Sequence, residues 1–386
     1  MADFSLRKNH FATRKRPSSQ KKNSPFLPLD NQLLCFTVIM IIAGLVFTYS
    51  SSAFDSLAYF KRQMFFDIFG VCIMLFLSQY YSVIQKKFSS VWMLFAAWVL
   101  LVWALFQPEA ANVHRWINLG FFNIQPSEIA KMVLVIYLSS YLAKLPEKKR
   151  DNRLLITPVV YALITIGLIV LGKDLGIPAL MVLVSFAIFF IAGISLKWLF
   201  ISGVALLPFV VILIIIQPYR FVRVMTFLHP ETVAGSTGYQ LIHSFYAIGS
   251  GGWFGKGFGG SELKLEYLPA AHTDFIFSIM CEEVGMVGAF IIIGFFIWLL
   301  IHGIRLAVKA KNTFNAYLIA GITLCITLQA FINMSVAIGI APTKGLPLPF
   351  FSYGGSSVVV TLAMMGILMN LAAVEHQTAV KQAGRA

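Results

Sequence analysis

The chain has 386 residues, 58% of them hydrophobic and 14% aromatic but only 12% charged, against about 25% charged in a typical soluble domain. So few charges cannot cover a surface in water, which excludes an ordinary soluble enzyme, a disordered chain and a disulfide scaffold and leaves an integral membrane protein. Thirty Lys and Arg against 16 Asp and Glu give a net charge of +14, yet no polar segment is long enough to fold a basic face for nucleic acid, which is excluded as a partner.

Residues 1–32 are polar and basic, with Arg7, Lys8, Arg14, Lys15, Arg16, Lys21 and Lys22. They read as a disordered cytoplasmic tail rather than a cleaved signal, since no small-residue cleavage site follows the first apolar run. A helix needs about 20 mainly apolar residues to cross the hydrocarbon core. Runs of this kind lie near 33–54, 63–84, 89–106, 128–145, 154–172, 177–193, 196–216, 275–303, 314–340 and 356–374. The expected fold is an all-α polytopic membrane protein, with ten transmembrane helices forming one domain over 33–374. The sixth span is short, and the ninth is long enough to tilt. Continuous rather than alternating apolar runs exclude a β-barrel.

With the basic tail inside, two thirds of the 30 Lys and Arg fall in cytoplasmic segments, as the positive-inside rule requires. Both termini are then cytoplasmic, the second being a tail over 375–386. The basic tail over 1–32 also attracts anionic membrane lipids. The four cysteines, Cys35, Cys72, Cys281 and Cys325, sit in apolar runs without metal-ligand spacing and read as small buried residues.

Three segments assigned to the outside break the pattern of tight connections: 107–127, the large extracytoplasmic loop 217–274 between helices seven and eight, and 341–355. Long loops without structure of their own are usually functional. The third holds Pro342, Gly345, Pro347, Pro349, Gly354 and Gly355, which prevent a regular helix and suit a rigid turn at the membrane face.

The large loop ends at Asp274, at the first turn of the eighth span, where the helix N-terminus favours an ionised carboxylate. A carboxylate there can accept a proton or hold a divalent cation. Equally, Asp274 or Thr273 beside it can simply cap the helix. Glu282 and Glu283 follow within the span, where acidic side chains face protein or a water-filled cavity. Helix-to-helix hydrogen bonding is the plain reading for Glu283. Gln329 and Asn333, four apart in the ninth span, form a polar stripe.

Outward cations are the second signal, because topology selects against them: Arg115, Lys173, Arg220, Arg223, Lys256, Lys264 and Lys344. Together they suit an anionic headgroup such as a lipid-linked pyrophosphate. Lys173 has Asp174 beside it as a local ion-pair partner, and Lys264 reads as a solvated surface charge. Three tempting motifs fail. Gly255-Lys256 is followed by Gly257 and makes no Walker A loop, Ser261-Glu262-Leu263-Lys264 lacks companion motifs, and Asn333-Met334-Ser335 lies within a span.

A set of ordered stretches resembles the SEDS family (shape, elongation, division and sporulation; FtsW/RodA/SpoVE). They are Arg115-Trp116-Ile117-Asn118-Leu119-Gly120 with Gln125-Pro126-Ser127-Glu128 and Lys131, then Asp174-Leu175-Gly176 and Gly249-Ser250-Gly251-Gly252 through Gly257. Lys264-Leu265-Glu266-Tyr267-Leu268-Pro269, His272-Thr273-Asp274-Phe275-Ile276-Phe277 and Glu282-Glu283 follow. Pro342-Thr343-Lys344-Gly345 and Ser352-Tyr353-Gly354-Gly355-Ser356-Ser357 complete the set. The Lys-Leu-Glu-Tyr-Leu-Pro and Pro-Thr-Lys-Gly forms favour the FtsW cell-division branch over the RodA elongation branch. Where the family usually has Pro before Asp-Leu-Gly and Glu-Ala before His-Thr-Asp, this chain has Lys173 and Ala270-Ala271.

The resemblance implies a ten-span peptidoglycan glycosyltransferase of the bacterial inner membrane, polymerising lipid II at the outer face of the septum. The family's essential aspartate maps onto Asp274 as the catalytic residue, and Arg115, Lys344, Glu266, His272 and Ser356 are assigned to substrate binding. Family activity suggests a divalent cation, Mg or Mn, for which no ligand cluster is visible, and no organic cofactor. The implied partners are a class B penicillin-binding protein that supplies cross-linking and other divisome membrane proteins. A lipid II flippase and a transpeptidase scaffold are the competing readings. A flippase would line both leaflets with polar groups, and a scaffold needs no loop carboxylate.

Overall fold

The computed structural model of the chain describes residues 27, 29–52, 57–108, 114–120, 122–145, 152–230, 237–261, 274–343 and 345–383. Among these residues the protein is all-helical save for one short hairpin. In chain order the elements are α1 (Asn31–Ser52), α2 (Leu57–Lys87), α3 (Ser90–Leu105), β1 (Ile117–Asn118), β2 (Asn123–Ile124), α4 (Pro126–Lys144) and α5 (Asn152–Leu171). Then come α6 (Gly176–Ile191), α7 (Leu196–Ile215), α8 (Pro218–Leu228), α9 (Thr237–Ser250), α10 (Ile276–Lys309), α11 (Thr313–Ala337) and α12 (Gly355–Ala383). The two strands pair antiparallel, Ile117 opposite Ile124.

Each apolar run in the sequence falls on one helix. Seven described helices, α1, α2, α5, α7, α10, α11 and α12, are long and apolar enough to cross a membrane, while α3 and α6 are shorter apolar helices. The chain is therefore a polytopic membrane protein. α4 is set apart by Glu128 and Lys131, both fully buried. Proline at the first helical position starts α4 and α8, where its missing N–H leaves no bond unmade.

The interior is built by α4, α11 and α12, while no residue of α7 is buried. α2 lies along α12. Small residues allow that approach, as they do between membrane helices generally: a Cβ on Gly366 would stand 2.4 Å from the Met74 carbonyl oxygen. Polar bonds reinforce it further along, where Asn370 donates from Nδ2 to the Ser78 carbonyl at 2.9 Å and accepts from the Ser82 backbone N–H at 3.1 Å.

Several expectations change. The large loop is not a structureless connection, because α8 and α9 occupy much of its first half. The eighth span is longer than its apolar run, because α10 continues for 34 residues to Lys309. α12 continues to Ala383, through the stretch that composition reads as a tail. Cys35 and Cys72 are exposed on the bundle surface, and only Cys281 and Cys325 are buried. An apolar thiol facing lipid costs no more than one facing protein, so composition alone could not separate the two.

α10 is interrupted at Gly285, whose φ of 68° and ψ of −171° are non-helical. The bonds from Met286 N–H to the Glu282 carbonyl and from Val287 N–H to the Glu283 carbonyl, which a continuous helix would make, are replaced by bonds to the glycine-rich segment after α9. Met286 and Val287 donate to the Gly252 and Trp253 carbonyls at 2.9 and 3.1 Å, while Lys256 and Gly257 donate to the Glu282 and Glu283 carbonyls at 2.9 and 3.0 Å. Gly255 must be glycine for this approach: its φ is +77° and a Cβ would stand 2.1 Å from the Glu283 carbonyl oxygen.

The Gly366 contact yields a test. Gly366→Val forces α2 and α12 apart, and overpacking of this kind costs about 1–3 kcal/mol. The thermal unfolding midpoint of detergent-solubilised protein should fall accordingly. Gly294→Ala should leave it unchanged, because nothing lies within 4 Å of the point a Cβ on Gly294 would occupy.

Candidate active site

Asp274 lies directly before α10, in a turn, and is half-buried. Asp274 does not cap the helix, and Thr273, the other capping candidate, lies outside the described residues. The N-cap is Phe275, which offers no side-chain cap, and among the described residues no backbone N–H donates to the Asp274 carboxylate. Its main chain is held instead, because Asn333 of α11 donates from Nδ2 to the Asp274 carbonyl at 3.0 Å and to the Leu346 carbonyl at 2.7 Å. One buried amide thus fixes Asp274 against the Pro/Gly-rich segment that follows α11.

Gly345 of that segment marks the centre of the site. A Cβ there would stand 3.6 Å from Asp274 Oδ2 and 3.7 Å from Arg115 Nη1, so the carboxylate and the guanidinium flank one small space. Arg115 is positioned by the turn between α5 and α6: it donates from Nη2 to the Lys173 carbonyl, and Nη1 stands 3.9 Å from Asp174 Oδ1. The local pair expected between Lys173 and Asp174 gives way to this longer-range one. Asp174 is also fixed by the Gly176 N–H at the start of α6, 3.0 Å from Oδ1. Arg223 of α8 reaches the same region and donates from Nη1 to the Thr343 carbonyl at 3.2 Å.

These charges set the acidity of Asp274. Burial raises its pKa to about 6, against the pull of Arg223 and Arg115, which favour the anion, and with a further push from Asp174. Burial likewise raises the Asp174 carboxyl, and Arg115 opposes it. A carboxylate poised near 6 and flanked by guanidinium groups is suited to take a proton from a bound hydroxyl while cations hold an anionic group nearby.

The residues assigned from sequence divide. Asp274 and Arg115 come together. The Ser356 hydroxyl accepts from the Gln125 N–H at 3.0 Å and donates to the Asn123 carbonyl at 3.2 Å, tying α12 to the hairpin before α4. Lys344, Glu266 and His272 lie outside the described residues, as does Lys264. Arg223, Asp174 and Asn333 are absent from the assigned set. Arg223 is signalled in sequence as an outward cation, but its i,i+3 neighbour Arg220 reads the same way. Arg220, however, turns into the bundle and donates to the Leu213 carbonyl at 3.0 Å.

The two acidic residues of α10 anchor this architecture. Glu283 accepts from the Ser50 hydroxyl of α1 at 2.5 Å, the helix-to-helix bond expected of it. Glu282 accepts from Lys256 Nζ at 2.9 Å, Ser250 Oγ at 3.2 Å and Ser261 Oγ at 2.5 Å. It thereby ties the segment after α9 to the helix that begins beside Asp274.

Among the described residues no group of three His, Cys, Asp or Glu side chains could hold a metal ion. The described neighbours that act on Asp274 are two cations and one carboxylate. These residues do not make a divalent-cation site.

A family model described as cell cycle protein, FtsW/RodA/SpoVE, matches residues 31–377. The chain belongs to this family. A probable peptidoglycan glycosyltransferase FtsW of Trichlorobacter lovleyi is 38% identical over 359 residues, covering 89% of this chain and 93% of that protein. Another from Saccharophagus degradans is 36% identical, covering 90% and 93%. Among solved structures, a chain of a peptidoglycan synthase complex that coordinates polymerization and crosslinking superposes with a TM-score of 0.75 at 26% identity, over 91% of this chain and all of that one. The RodA protein of Thermus thermophilus shares the fold, with a TM-score of 0.69 at 24% identity over 92% of this chain and all of that one.

The clamp at Glu282 predicts a local effect. Charge-assisted hydrogen bonds are worth about 1.5–3 kcal/mol each. Glu282→Ala should therefore speed amide exchange over 251–257 by at least about tenfold, with α12 still protected, as read by hydrogen–deuterium exchange.

Proposed function

We propose that this protein polymerises lipid II into glycan strands at the outer face of the bacterial cytoplasmic membrane, in the septal cell-wall synthesis of dividing cells. The observation that carries the reading is the Asp274 carboxylate sharing one space at Gly345 with the Arg115 guanidinium, in a family member whose relatives are named probable peptidoglycan glycosyltransferases. On this reading the chain crosses the membrane ten times with both ends inside, which puts Asp274 outside.

The reaction is an inverting hexosyl transfer. The 4-hydroxyl oxygen of the acceptor sugar attacks the anomeric carbon of the donor. The bond from that carbon to the pyrophosphate oxygen breaks, and undecaprenyl pyrophosphate leaves with the bonding electron pair. Asp274 takes the hydroxyl proton as general base. Arg115 and Arg223 sit where they can offset the charge of the pyrophosphate, and Lys344, Glu266 and His272 complete the substrate contacts. The described side chains at Asp274 do not supply ligands for a divalent cation. Cross-linking requires a second protein. The likeness to a chain of a peptidoglycan synthase complex supports a class B penicillin-binding protein as that partner.

The decisive assay uses purified protein with its partner and lipid II, scored for glycan polymer. Loss of a general base costs about 10²–10⁴-fold, so Asp274→Asn should lose at least about a hundredfold of the polymerisation rate. Polymer at the normal rate from the folded variant would overturn the assignment, and lipid translocation without polymer from the wild type would favour a flippase.

The pH profile has a defined sign. The active form is the carboxylate, and its pKa lies at about 6 rather than near 4. Initial rates at subsaturating lipid II, which report the free enzyme, should therefore fall as pH drops through about 6. Arg223 holds that pKa down, so Arg223→Gln should move the inflection upward; a downward or absent shift would separate Arg223 from Asp274.

A further inference from the structure

The far end of the bundle from Asp274 carries a second polar enclosure. α2 and α4 both begin at the Asp274 end, where Gln63 accepts from the Gly354 N–H at 3.4 Å and Gln125 donates its N–H to Ser356. They end together at the opposite face. There the last turns of α2 and α4 and the first turn of α3 enclose a cavity of about 330 Å³. Lys86 and Lys87 come from α2, Ser89 from the turn into α3, and Ser140 and Lys144 from α4, with Tyr81 on the wall; among the described residues no carboxylate lines it.

Lysines in the last turn of a helix have an ordinary explanation, since they complement the helix dipole. That explanation covers Lys86, Lys87 and Lys144 but not two other features of the cavity. First, α3 opens onto it without a side-chain cap: Ser89 occupies the N-cap position and its hydroxyl makes no capping bond. Its first amides are donors in need of an acceptor. Second, Tyr81 is only 3% exposed, and its hydroxyl has no hydrogen-bond partner among the described residues. A buried hydroxyl left unpaired is rare in native proteins and calls for an acceptor.

We propose that this cavity is a binding site for a phosphate group. Three ammonium groups supply positive charge, the Tyr81, Ser89 and Ser140 hydroxyls supply donors, and the open N-terminus of α3 presents backbone amides, the arrangement that favours phosphate at a helix start. The same donors serve the headgroup of an anionic lipid in the adjoining leaflet or a free phosphate from solution. The site lies at the opposite end of the bundle from Asp274 and does not rest on the transferase reading.

The test uses the purified full chain in two arms. In one, the protein in neutral detergent is titrated with inorganic phosphate by isothermal calorimetry. In the other, nanodiscs of phosphatidylcholine with increasing phosphatidic acid are scored by native mass spectrometry for lipid retained on the protein. Saturable binding in the first arm identifies a soluble source, and retention of phosphatidic acid in the second identifies a lipid. Either supports the site. The double variant Lys86→Gln/Lys144→Gln should weaken that binding at least tenfold, and Tyr81→Phe, which keeps the ring and the packing, at least threefold. No saturable binding in either arm would overturn the proposal, as would binding unchanged in both variants. Unaltered thermal unfolding of Tyr81→Phe assigns its effect to the lost hydroxyl rather than to the fold.

Discussion

A single amide group, Nδ2 of Asn333, holds the functional end of the molecule together. It donates to the carbonyls of Asp274 and Leu346 from a side chain that is 1% exposed. The constraint behind it belongs to membranes. A segment with Pro342, Pro347 and Pro349 cannot form a helix, and each backbone polar group left unmet away from water costs several kcal/mol. One turn further into the bundle Gln329 does the same work, donating to the Pro347 carbonyl at 2.9 Å. Its own carbonyl accepts from Lys131 at 2.6 Å, and Lys131 is paired with Glu128 at 2.6 Å. A row of polar side chains thus runs from a buried ion pair on α4 to the backbone beside the Asp274 carboxylate. Removing any one of them would leave a neighbour unsatisfied in an apolar setting, where that penalty is greatest.

The break in α10 obeys the same rule. Interrupting a helix frees carbonyls and amides, and irregular backbone at membrane depth is tolerated only where protein satisfies it. Here the segment 252–257 supplies both donors and acceptors to the four groups released around Gly285. The consequence is mechanical as well as energetic. Because Glu282 holds Ser250, Lys256 and Ser261, the segment leading from α9 and the start of α10 are parts of one rigid unit. Asp274 is therefore referenced to the helix bundle from both of its sides, by Asn333 and by α10.

Much of this was legible in sequence, for physical reasons. Long apolar runs have one solution in lipid, so every expected span coincides with a helix. Asp274 was visible as a carboxylate at the first turn of a span, where capping was an equal reading until the family resemblance singled it out, and Arg115 because an outward cation runs against topology. The hidden parts are those that depend on the third dimension. Arg220 and Arg223 stand three apart on one short helix, and nothing in their spacing says that one turns to the Leu213 carbonyl and the other to Thr343. Asp174 looked paired with the neighbouring Lys173, whereas its contact with Arg115 spans 59 positions of chain. Gly251–Gly257 makes no Walker A loop because Gly257 follows Lys256, and two of its glycines, Gly251 and Gly255, instead serve a close approach to the backbone of α10.

The electrostatics of Asp274 also bear on when it acts as a base. In the free protein desolvation raises its proton affinity, and Arg223 and Arg115 partly cancel that rise. On the proposed reading those same guanidinium groups receive the donor's pyrophosphate. An anion between them and Asp274 neutralises the charge that holds the carboxylate's pKa down, and adds negative charge of its own. Both effects strengthen the carboxylate's pull on a proton. Substrate binding thus makes Asp274 a better base at the moment a hydroxyl is presented to it. In the empty site the arginines keep it ionised at neutral pH and ready to accept that proton.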